Sequence, residues 1–209
     1  MKFEEIIKNQ RIAVFAAHCD DIELAMGGTL NKLKNNRVWI DVFSDATNVR
    51  GNETIMDEFW SSMKIYGLTL QTTLWSDVNT MEFYSREKDI KSRMFYCKTH
   101  FRPDIVICCN PKSDNRDHSI VGECALNVFQ EQTVLLYEDI RGGREHRSDI
   151  YVILNAEDVN KKLRAARCYV TQSKRSYFKP DALVSFLRMR GSQIGVTFAE
   201  SLEVARLVV

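Results

Sequence analysis

The chain has 209 residues, with 29 basic and 28 acidic side chains and a net charge of +1. A nearly neutral chain has no overall field that would attract nucleic acid or an anionic membrane, so we expect neither as a partner. The length fits one domain spanning residues 1–209, and no apolar run approaches the roughly 20 residues that span a bilayer.

The cysteine usage and the amino-terminal segment indicate a compartment. Six cysteines occur without a Cys-x-x-Cys pair, and several lie within apolar patterns, as reduced and buried thiols do. The amino-terminal segment is charged and lacks the apolar core of a signal peptide. We therefore expect a cytoplasmic protein, and the sequence leaves a homo-oligomer open.

Strands and helices are predicted to alternate in the first two thirds of the chain. Nearly continuous apolar and β-branched runs predict strands at 11–17, 38–43, 104–108 and 133–137. Helical spacing of apolar residues lies between them, at 22–33, 59–66 and 87–100. Because a β-α-β-α order implies right-handed crossovers, we expect a three-layer α/β sandwich with a mostly parallel sheet.

The last third of the chain is predicted to be less regular. A polar, glycine-containing stretch at 138–149 precedes a predicted strand at 150–155 and a basic helix at 158–169. A last helix is predicted at 181–190, with Gly191 as its C-cap.

The most informative segment directly follows the first predicted strand. It places His18, Asp20 and Asp21 where a parallel strand would end and a helix begin, the position at which open α/β sheets bind ligands. A second pair, Asp117 and His118, comes after the strand predicted at 104–108. Since neighbouring parallel strands end side by side, both segments can contribute to one metal site.

The residue types in these segments favour zinc. Imidazole and carboxylate ligands together suit zinc, whereas magnesium prefers oxygen ligands alone. His18 and Asp21 are three residues apart and can face one site, and His118 is the predicted third ligand. Three protein ligands with an open position are typical of catalytic zinc, and Asp20 is then placed to act as a general base on water.

A structural interpretation of the same segment is the alternative. Asp20 or Asp21 would then only cap a helix, and His18 would be a hydrogen-bonded core histidine. One carboxylate suffices for a cap, and the second His and Asp pair favours the metal site. A pyrophosphate cradle is disfavoured, because Gly27 and Gly28 lie within the helical pattern and two carboxylates would repel the phosphates.

Residues 18–30 also resemble a family signature. Their sequence, HCDDIELAMGGTL, is similar to the A-H-P-D-D-x-E-x-x-x-G-G-T-L motif of the PIG-L/LmbE-type N-acetylglucosaminyl deacetylases. Residues 115–118 occupy the place of the family's H-x-D-H motif, and further similarity lies at 137–138, 171–177 and 190–200. The resemblance implies a Rossmann-like fold, zinc ligation by His18, Asp21 and His118, and a general base at Asp20.

Two positions depart from the family pattern. Cys19 stands in place of proline, which changes the rigidity of the turn. Asn115 stands in place of the first histidine of H-x-D-H, and asparagine can donate a hydrogen bond to an oxyanion but cannot shuttle a proton. The candidate catalytic set is therefore Asp20, Asn115 and Asp117.

Candidate substrate contacts come from two basic stretches. Arg141 and Arg144 lie in an arginine- and glycine-containing segment that suits a phosphate or nucleotide carried by the substrate, and a solvated loop is the alternative. Gln172 and Arg175 are added through the family resemblance.

These features lead to a functional expectation. We expect a zinc-dependent hydrolase that removes an N-acetyl group from an amino sugar or a sugar nucleotide, in surface-glycan or related biosynthesis. The alternatives are a family member that binds metal but has a binding or regulatory role, and a metal hydrolase of another amide or ester.

Overall fold

The structure is a computed structural model that describes residues 2–50, 54–68, 70, 77–141 and 144–208. These residues form a six-stranded sheet in the order β2-β1-β3-β4-β6-β5. The strands are β1 (Arg11–His18), β2 (Arg37–Ser44), β3 (Ile105–Cys108), β4 (Thr133–Tyr137), β5 (Ile150–Ile153) and β6 (Ala199–Arg206). The first four strands in chain order are parallel to one another, while β6 is antiparallel to β4 and β5. The predicted mostly parallel sheet is confirmed.

Helices cover both faces of the sheet. They are α1 (Phe3–Ile6), α2 (Asp21–Lys32), α3 (Thr47–Arg50), α4 (Ile55–Tyr66), α5 (Glu87–His100), α6 (Arg116–Val128), α7 (Ala156–Arg167) and α8 (Pro180–Ser192). On one side α2 contacts β1 and β6 and packs against α4 and α7, and on the other side α6 contacts β1 and β3 and packs against α5. The three-layer α/β fold is thereby confirmed. Within the described ranges, no helix combines the length and the apolar character that a membrane crossing requires.

The central strand β1 is buried along almost its whole length and ends in a polar residue. Residues 12–17 are completely buried, because β2 and β3 flank the strand and helices cover both faces. His18 is the last residue of this strand, and the helix α2 begins three residues later. The apolar strand therefore delivers a polar side chain to the carboxyl edge of the sheet.

The carboxy-terminal part differs most from the sequence-based expectations. β6 was not predicted, because the buried polar residues Glu200, Ser201 and Glu203 interrupt its apolar pattern. β5 ends at Ile153, and α7 begins at Ala156, earlier than expected, because Asn155 and Asp158 form a reciprocal cap. The predicted cap at Gly191 is wrong, since α8 continues through it to Ser192.

Gly191 is required for a different reason. A Cβ atom at this position would lie 2.6 Å from the carbonyl oxygen of Val196, so the helix packs directly against the chain that returns toward β6. The sequence signal of a glycine near a helix end therefore marks a close backbone approach here.

Helix α2 is interrupted at its centre. Met26 has non-helical dihedral angles (φ −134°, ψ 30°), so the helix restarts at the glycine pair that follows. Glu200 of β6 accepts hydrogen bonds from the backbone N–H groups of Gly28 (3.0 Å) and Thr29 (2.6 Å) and from the Thr29 hydroxyl (2.7 Å). A carboxylate at the start of a helical segment satisfies its free N–H groups.

Lys162 of α7 completes this buried anchor. Its ammonium group lies 2.7 Å from Glu200 Oε1 and donates to the carbonyl oxygen of Leu24, and its side chain has no exposed surface. A Cβ atom on Gly27 would lie 2.8 Å from Lys162 Cγ, and one on Gly28 would lie 2.5 Å from Leu154 Cδ1. The two glycines therefore permit the close approach of α2 and α7, which holds α2 and the Asp20 and Asp21 side chains at its start in place.

Candidate metal centre and substrate cleft

The predicted metal-binding side chains meet at the carboxyl edge of the sheet. His18 ends β1, Asp21 is the first residue of α2, and His118 lies in the first turn of α6, which follows β3. The backbone N–H of His18 donates to Asp21 Oδ2 at 2.8 Å, which fixes the turn between strand and helix. Both histidines are 5% exposed or less.

The three side chains direct ligand atoms toward one point. His18 Nδ1 lies 3.3 Å from His118 Nε2, and the Asp21 carboxylate lies 3.6 Å from His18 Nδ1 and 3.2 Å from His118 Nε2. One ligand atom from each residue lies within 4.8 Å of the others, so the group could hold a metal ion. Two imidazole nitrogens with one carboxylate are the donor set that zinc prefers.

The outer nitrogens of both histidines contact carboxylates. His18 Nε2 lies 3.2 Å from Asp117 Oδ2, and His118 Nδ1 lies 3.0 Å from Asp139 Oδ2. Contacts of this kind fix the ring orientation of a metal-binding histidine and leave its other nitrogen for the ion. Asp117, expected in the catalytic set, is therefore placed behind His18.

Asp139 was not identified from the sequence. It lies two residues after β4, in a polar stretch without a motif, and it also accepts hydrogen bonds from the Ser113 hydroxyl (3.1 Å) and the Arg141 backbone N–H (2.9 Å). Only its position could have indicated a functional role for Asp139, because it comes after the parallel strand β4, as His18 lies at the end of β1 and His118 comes after β3.

The carboxylates perturb the titration of the buried histidines. Burial alone would lower the pKa of His118, but Asp21 and Asp139 outweigh it and raise the pKa to about 10. Burial also opposes protonation of His18, and the contacts with Asp117 and Asp21 raise its pKa. The pKa of Asp21 is lowered by His118 and His18 against the effect of burial. Without a metal ion, the His118 imidazole is therefore held in its protonated form at neutral pH, and an ion binding at its Nε2 displaces that proton.

Asp20 lies beside this group without serving as a side-chain cap. It is 4% exposed and lines the cleft together with His18, Asp21 and His118. It occupies the N-cap position of α2, but its side chain makes no capping hydrogen bond to the described helix backbone. A simple helix cap therefore does not explain why two carboxylates follow each other.

Asn115 has a structural contact that determines how it can act. Its Oδ1 accepts a hydrogen bond from the Asp117 backbone N–H at 3.0 Å, so it caps α6. Since Oδ1 is engaged in the cap, a hydrogen bond from this side chain to a bound molecule is donated by Nδ2.

Glu23 and Cys19 of the same segment are structural. Glu23 is fully buried; it accepts from the Ser62 hydroxyl and lies 2.6 Å from the Tyr169 hydroxyl. Burial raises the pKa of Glu23 to about 8, although these two contacts oppose the shift. Burial, together with the nearby Asp20 carboxylate, also raises the pKa of the Cys19 thiol, so the thiol stays protonated and is a poor nucleophile.

A cleft with two lobes opens over these residues. The first lobe, about 350 Å³, contains the metal-binding group and Asp20 and is bounded outside by Arg141, Arg144 and Tyr177. The second lobe, about 410 Å³, extends past Asn115 toward Met81, Tyr84 and Arg116. Both volumes lie in the range of roughly 300–1,000 Å³ that is usual for ligand pockets. The lobes share three lining residues, His18, Asn115 and Arg141.

The four predicted substrate contacts are distributed unequally. Arg141 and Arg144 line the cleft, and Arg144 is ion-paired with Asp114 at 2.9 Å. Gln172 and Arg175 are not among the lining residues: Gln172 is 3% exposed and donates to the Thr171 hydroxyl. Arg175 donates to the Tyr177 hydroxyl at 2.5 Å and so reaches the cleft only through that ring. Residues 142 and 143, between the two predicted arginines, lie outside the described residues.

Comparison with known protein families decides the family. A family model described as PIG-L, GlcNAc-PI de-N-acetylase, matches residues 13–129 and thus includes both segments of the metal-binding group. The chain belongs to the PIG-L family. No curated protein matches the sequence.

Solved structures share the fold at low sequence identity. The N,N'-diacetylchitobiose deacetylase from Pyrococcus horikoshii superposes with a TM-score of 0.81 at 18% identity, covering 98% of this chain and 86% of that one. A teicoplanin deacetylase gives 0.72 at 15%, covering 92% and 96%. A 4-carboxy-2-hydroxymuconate hydratase from Pseudomonas putida gives 0.72 at 16%, covering 96% and 98%. Because deacetylases and a hydratase share this fold, the activity must be argued from the site.

Proposed function

We propose that this PIG-L family member is a zinc-dependent hydrolase that removes the N-acetyl group from an amino sugar. The observation that carries the proposal is the convergence of His18, Asp21 and His118 on one point, with Asp20 beside them in a cleft of ligand size. The description of the family as a de-N-acetylase and the deacetylases among the similar structures support the same reaction.

Zinc fits the donor set of this centre. His18 Nδ1, His118 Nε2 and the Asp21 carboxylate would hold the ion, while Asp117 and Asp139 would keep the two imidazole rings in place. When bound, zinc would polarise the acetyl carbonyl and make water at the site more acidic.

Asp20 is the proposed general base. Its carboxylate takes a proton from the attacking water, whose oxygen forms a bond to the acetyl carbon. Breaking the carbon–nitrogen bond then requires a proton on the departing nitrogen, and protonated Asp20 returns it. The hydroxyl proton of the new acid also passes to the amine, so the products are acetate and the amino sugar in its ammonium form, with one water consumed and no proton left over.

Asn115 is proposed to stabilise the charge that develops on the acetyl oxygen. Its Oδ1 is engaged in capping α6, so its Nδ2 donates toward the oxyanion. An amide cannot transfer a proton at neutral pH. In this proposal Asp20 therefore serves as both base and acid.

The whole chain is proposed to act as one deacetylase domain. β1 begins at Arg11 and β6 ends at Arg206, and both lie in the same sheet, which supports this assignment. We also propose a cytoplasmic location, for which the support is the free state of the cysteines, Cys19 and Cys108 among them. A homo-oligomer is compatible with the proposal.

Acetate release tests the reaction. The zinc-loaded protein is incubated with N-acetylglucosamine, its glycosides and its phosphorylated forms, and acetate is measured enzymatically. We expect release from at least one class, and Asp20→Asn as a matched control should lower it on the order of a hundred-fold or more. A zinc-loaded protein that releases no acetate from any of them would refute the proposal and favour a binding or regulatory role, for which Asn115 is the supporting observation.

A further inference from the structure

The second lobe of the cleft contains positive charge that the proposed reaction does not use. Arg116 and Arg141 line this lobe, and both are exposed. Within the described part of the chain, neither guanidinium has a carboxylate oxygen within ion-pair distance, whereas the neighbouring Arg144 is paired with Asp114. Two unpaired guanidinium groups facing one cavity are suited to an anionic ligand.

Each of these arginines is supported by a tyrosine ring. The Arg116 guanidinium carbon lies 5.7 Å from the centre of the Tyr84 ring, and that of Arg141 lies 5.1 Å from the centre of the Tyr177 ring. Arg141 also donates to the Tyr177 hydroxyl at 3.3 Å. Stacking on a ring restricts a guanidinium while leaving its edge free to donate hydrogen bonds.

The wall of the second lobe is fixed relative to the metal centre. Met81 has a positive φ of 75°, and its backbone N–H donates to Asp117 Oδ2 at 3.2 Å, the same oxygen that contacts His18. Thr80 exchanges hydrogen bonds with Asn48 beyond the end of β2. A non-glycine residue persists at such a φ only where the surroundings hold it, so the lobe is preorganised.

The balance of charge differs between the two lobes. The first lobe is lined by the carboxylates of Asp20, Asp21 and Asp139, which disfavour an anion unless it binds the metal directly. The second lobe joins it at His18, Asn115 and Arg141, and it is lined by Arg116 and Arg141 against a single carboxylate, that of Asp117. It is the space next to a sugar whose acetyl group lies in the first lobe, and an anionic substituent of that sugar fits there better than among the three carboxylates.

We infer that the second lobe is a phosphoryl subsite in which Arg116 and Arg141 bind the phosphate of an N-acetylhexosamine phosphoester. The inference rests on the proposed function, because it uses the first lobe as the sugar site. Arg116 was not among the substrate contacts predicted from the sequence. The exposed faces of Tyr84 and Met81, which are 71% and 81% exposed, are available to whatever group the phosphate carries.

Binding of product analogues tests the subsite without turnover. Glucosamine 1-phosphate and methyl glucosaminide, which differ in the phosphate, are titrated calorimetrically into the zinc-loaded protein. We expect the phosphorylated ligand to bind about tenfold or more tightly, and Arg116→Gln and Arg141→Gln each to reduce that preference about tenfold, as for a hydrogen bond to a charged group. Added salt should reduce the preference further.

Arg188→Gln is the matched control. Arg188 is also an exposed arginine over an aromatic ring, that of Phe198 at 5.8 Å, but it lies outside the cleft. This variant should keep the wild-type preference for phosphate. Equal affinity for the phosphorylated and neutral ligands, no measurable binding of glucosamine 1-phosphate, or equal losses in Arg116→Gln and Arg188→Gln would each overturn the subsite.

Two further ligands separate the sources of the phosphate. Glucosamine linked to a nucleoside diphosphate and glucosamine linked through phosphate to a lipid in detergent micelles are titrated in the same way. A nucleotide that stacks on Tyr84 should bind more tightly than the simple phosphate, and Tyr84→Leu should remove that gain. If instead the lipid-linked ligand binds more tightly than the simple phosphate, and Tyr84→Leu leaves its affinity unchanged, then the carrier is a lipid and the phosphoryl subsite is retained.

The outcomes also separate this inference from the proposed function. A phosphate preference that depends on Arg116 and Arg141, without acetate release from any substrate, would refute deacetylation and retain the subsite. Acetate release at equal kcat/KM from phosphorylated and neutral substrates, unchanged in both arginine variants, would retain deacetylation and refute the subsite.

Discussion

Glu200→Gln should strongly destabilise the protein, because Glu200 anchors the second half of α2. Its two oxygens accept from Gly28, Thr29 and the fully buried ammonium group of Lys162. A glutamine amide keeps one oxygen, and in either orientation its NH2 group faces donors where an acceptor is needed. The substitution also leaves the Lys162 charge without its partner carboxylate.

The magnitude follows from the burial of the pair. Breaking a buried ion pair by removing one partner costs about 3–5 kcal/mol, a large part of the roughly 5–15 kcal/mol by which domains are usually stable. Urea unfolding followed by circular dichroism measures the effect, and at a slope of about 2 kcal/mol/M the midpoint should fall by roughly 2 M.

Two variants serve as controls. Glu87→Gln breaks the exposed pair between Glu87 and Lys91 on α5, and it should cost less than about 0.5 kcal/mol. Adding Lys162→Met to Glu200→Gln removes the orphaned charge and should recover part of the loss. A decrease below about 1 kcal/mol for Glu200→Gln alone would refute the idea that this carboxylate anchors α2.

Three further predictions concern the cleft. Asp20→Asn should retain zinc but lose on the order of a hundred-fold or more in the rate of acetate release. The control Asp114→Asn, in the same lobe of the cleft, should lose little of this rate. Full turnover in Asp20→Asn would disprove the general-base role. Since the pKa of His118 is raised to about 10, zinc must displace a proton from this side chain at neutral pH. Calorimetry in buffers of different ionisation enthalpy should therefore detect proton release. The apparent affinity for zinc should also rise as pH increases toward 10. An affinity independent of pH between 6 and 9 would contradict this. Asn115→Ser should preserve the cap of α6 while removing the Nδ2 donor. We expect kcat to fall on the order of ten-fold or more, with the zinc content unchanged. An unchanged kcat would exclude Asn115 from oxyanion stabilisation.

The convergence of His18, Asp21 and His118 was predictable because these residues carry two signals at once. His18 and Asp21 directly follow a continuous apolar run and precede helical spacing, so their position at a strand end could be derived as well as their chemistry. His118 repeats this arrangement after β3. Asp139 has the same position after β4, but a single aspartate within a polar stretch has no pattern that distinguishes it from a solvated loop residue.

The carboxy-terminal elements were harder to predict for a physical reason. β6 places Glu200, Ser201 and Glu203 at buried positions, where each is compensated by partners distant in sequence, such as Lys162 and Asn110. The spacing of apolar residues predicts which positions of a strand are buried, and a buried polar residue interrupts that spacing unless its partner is known. The same limitation applies to the cleft, because only the fold distinguishes an ion-paired arginine from one that faces a cavity unpaired.

Zinc titration into the metal-free protein measures whether the proposed activity depends on the site formed by His18, Asp21 and His118. Acetate release from a substrate cleaved by the zinc-loaded protein is measured at each addition of zinc, with His118→Ala as the comparison. We predict that activity rises in proportion to zinc, reaches a plateau at about one equivalent per chain, and is absent in His118→Ala at the same zinc concentrations. Activity that is independent of zinc, or a His118→Ala variant as active as the wild type, would contradict it.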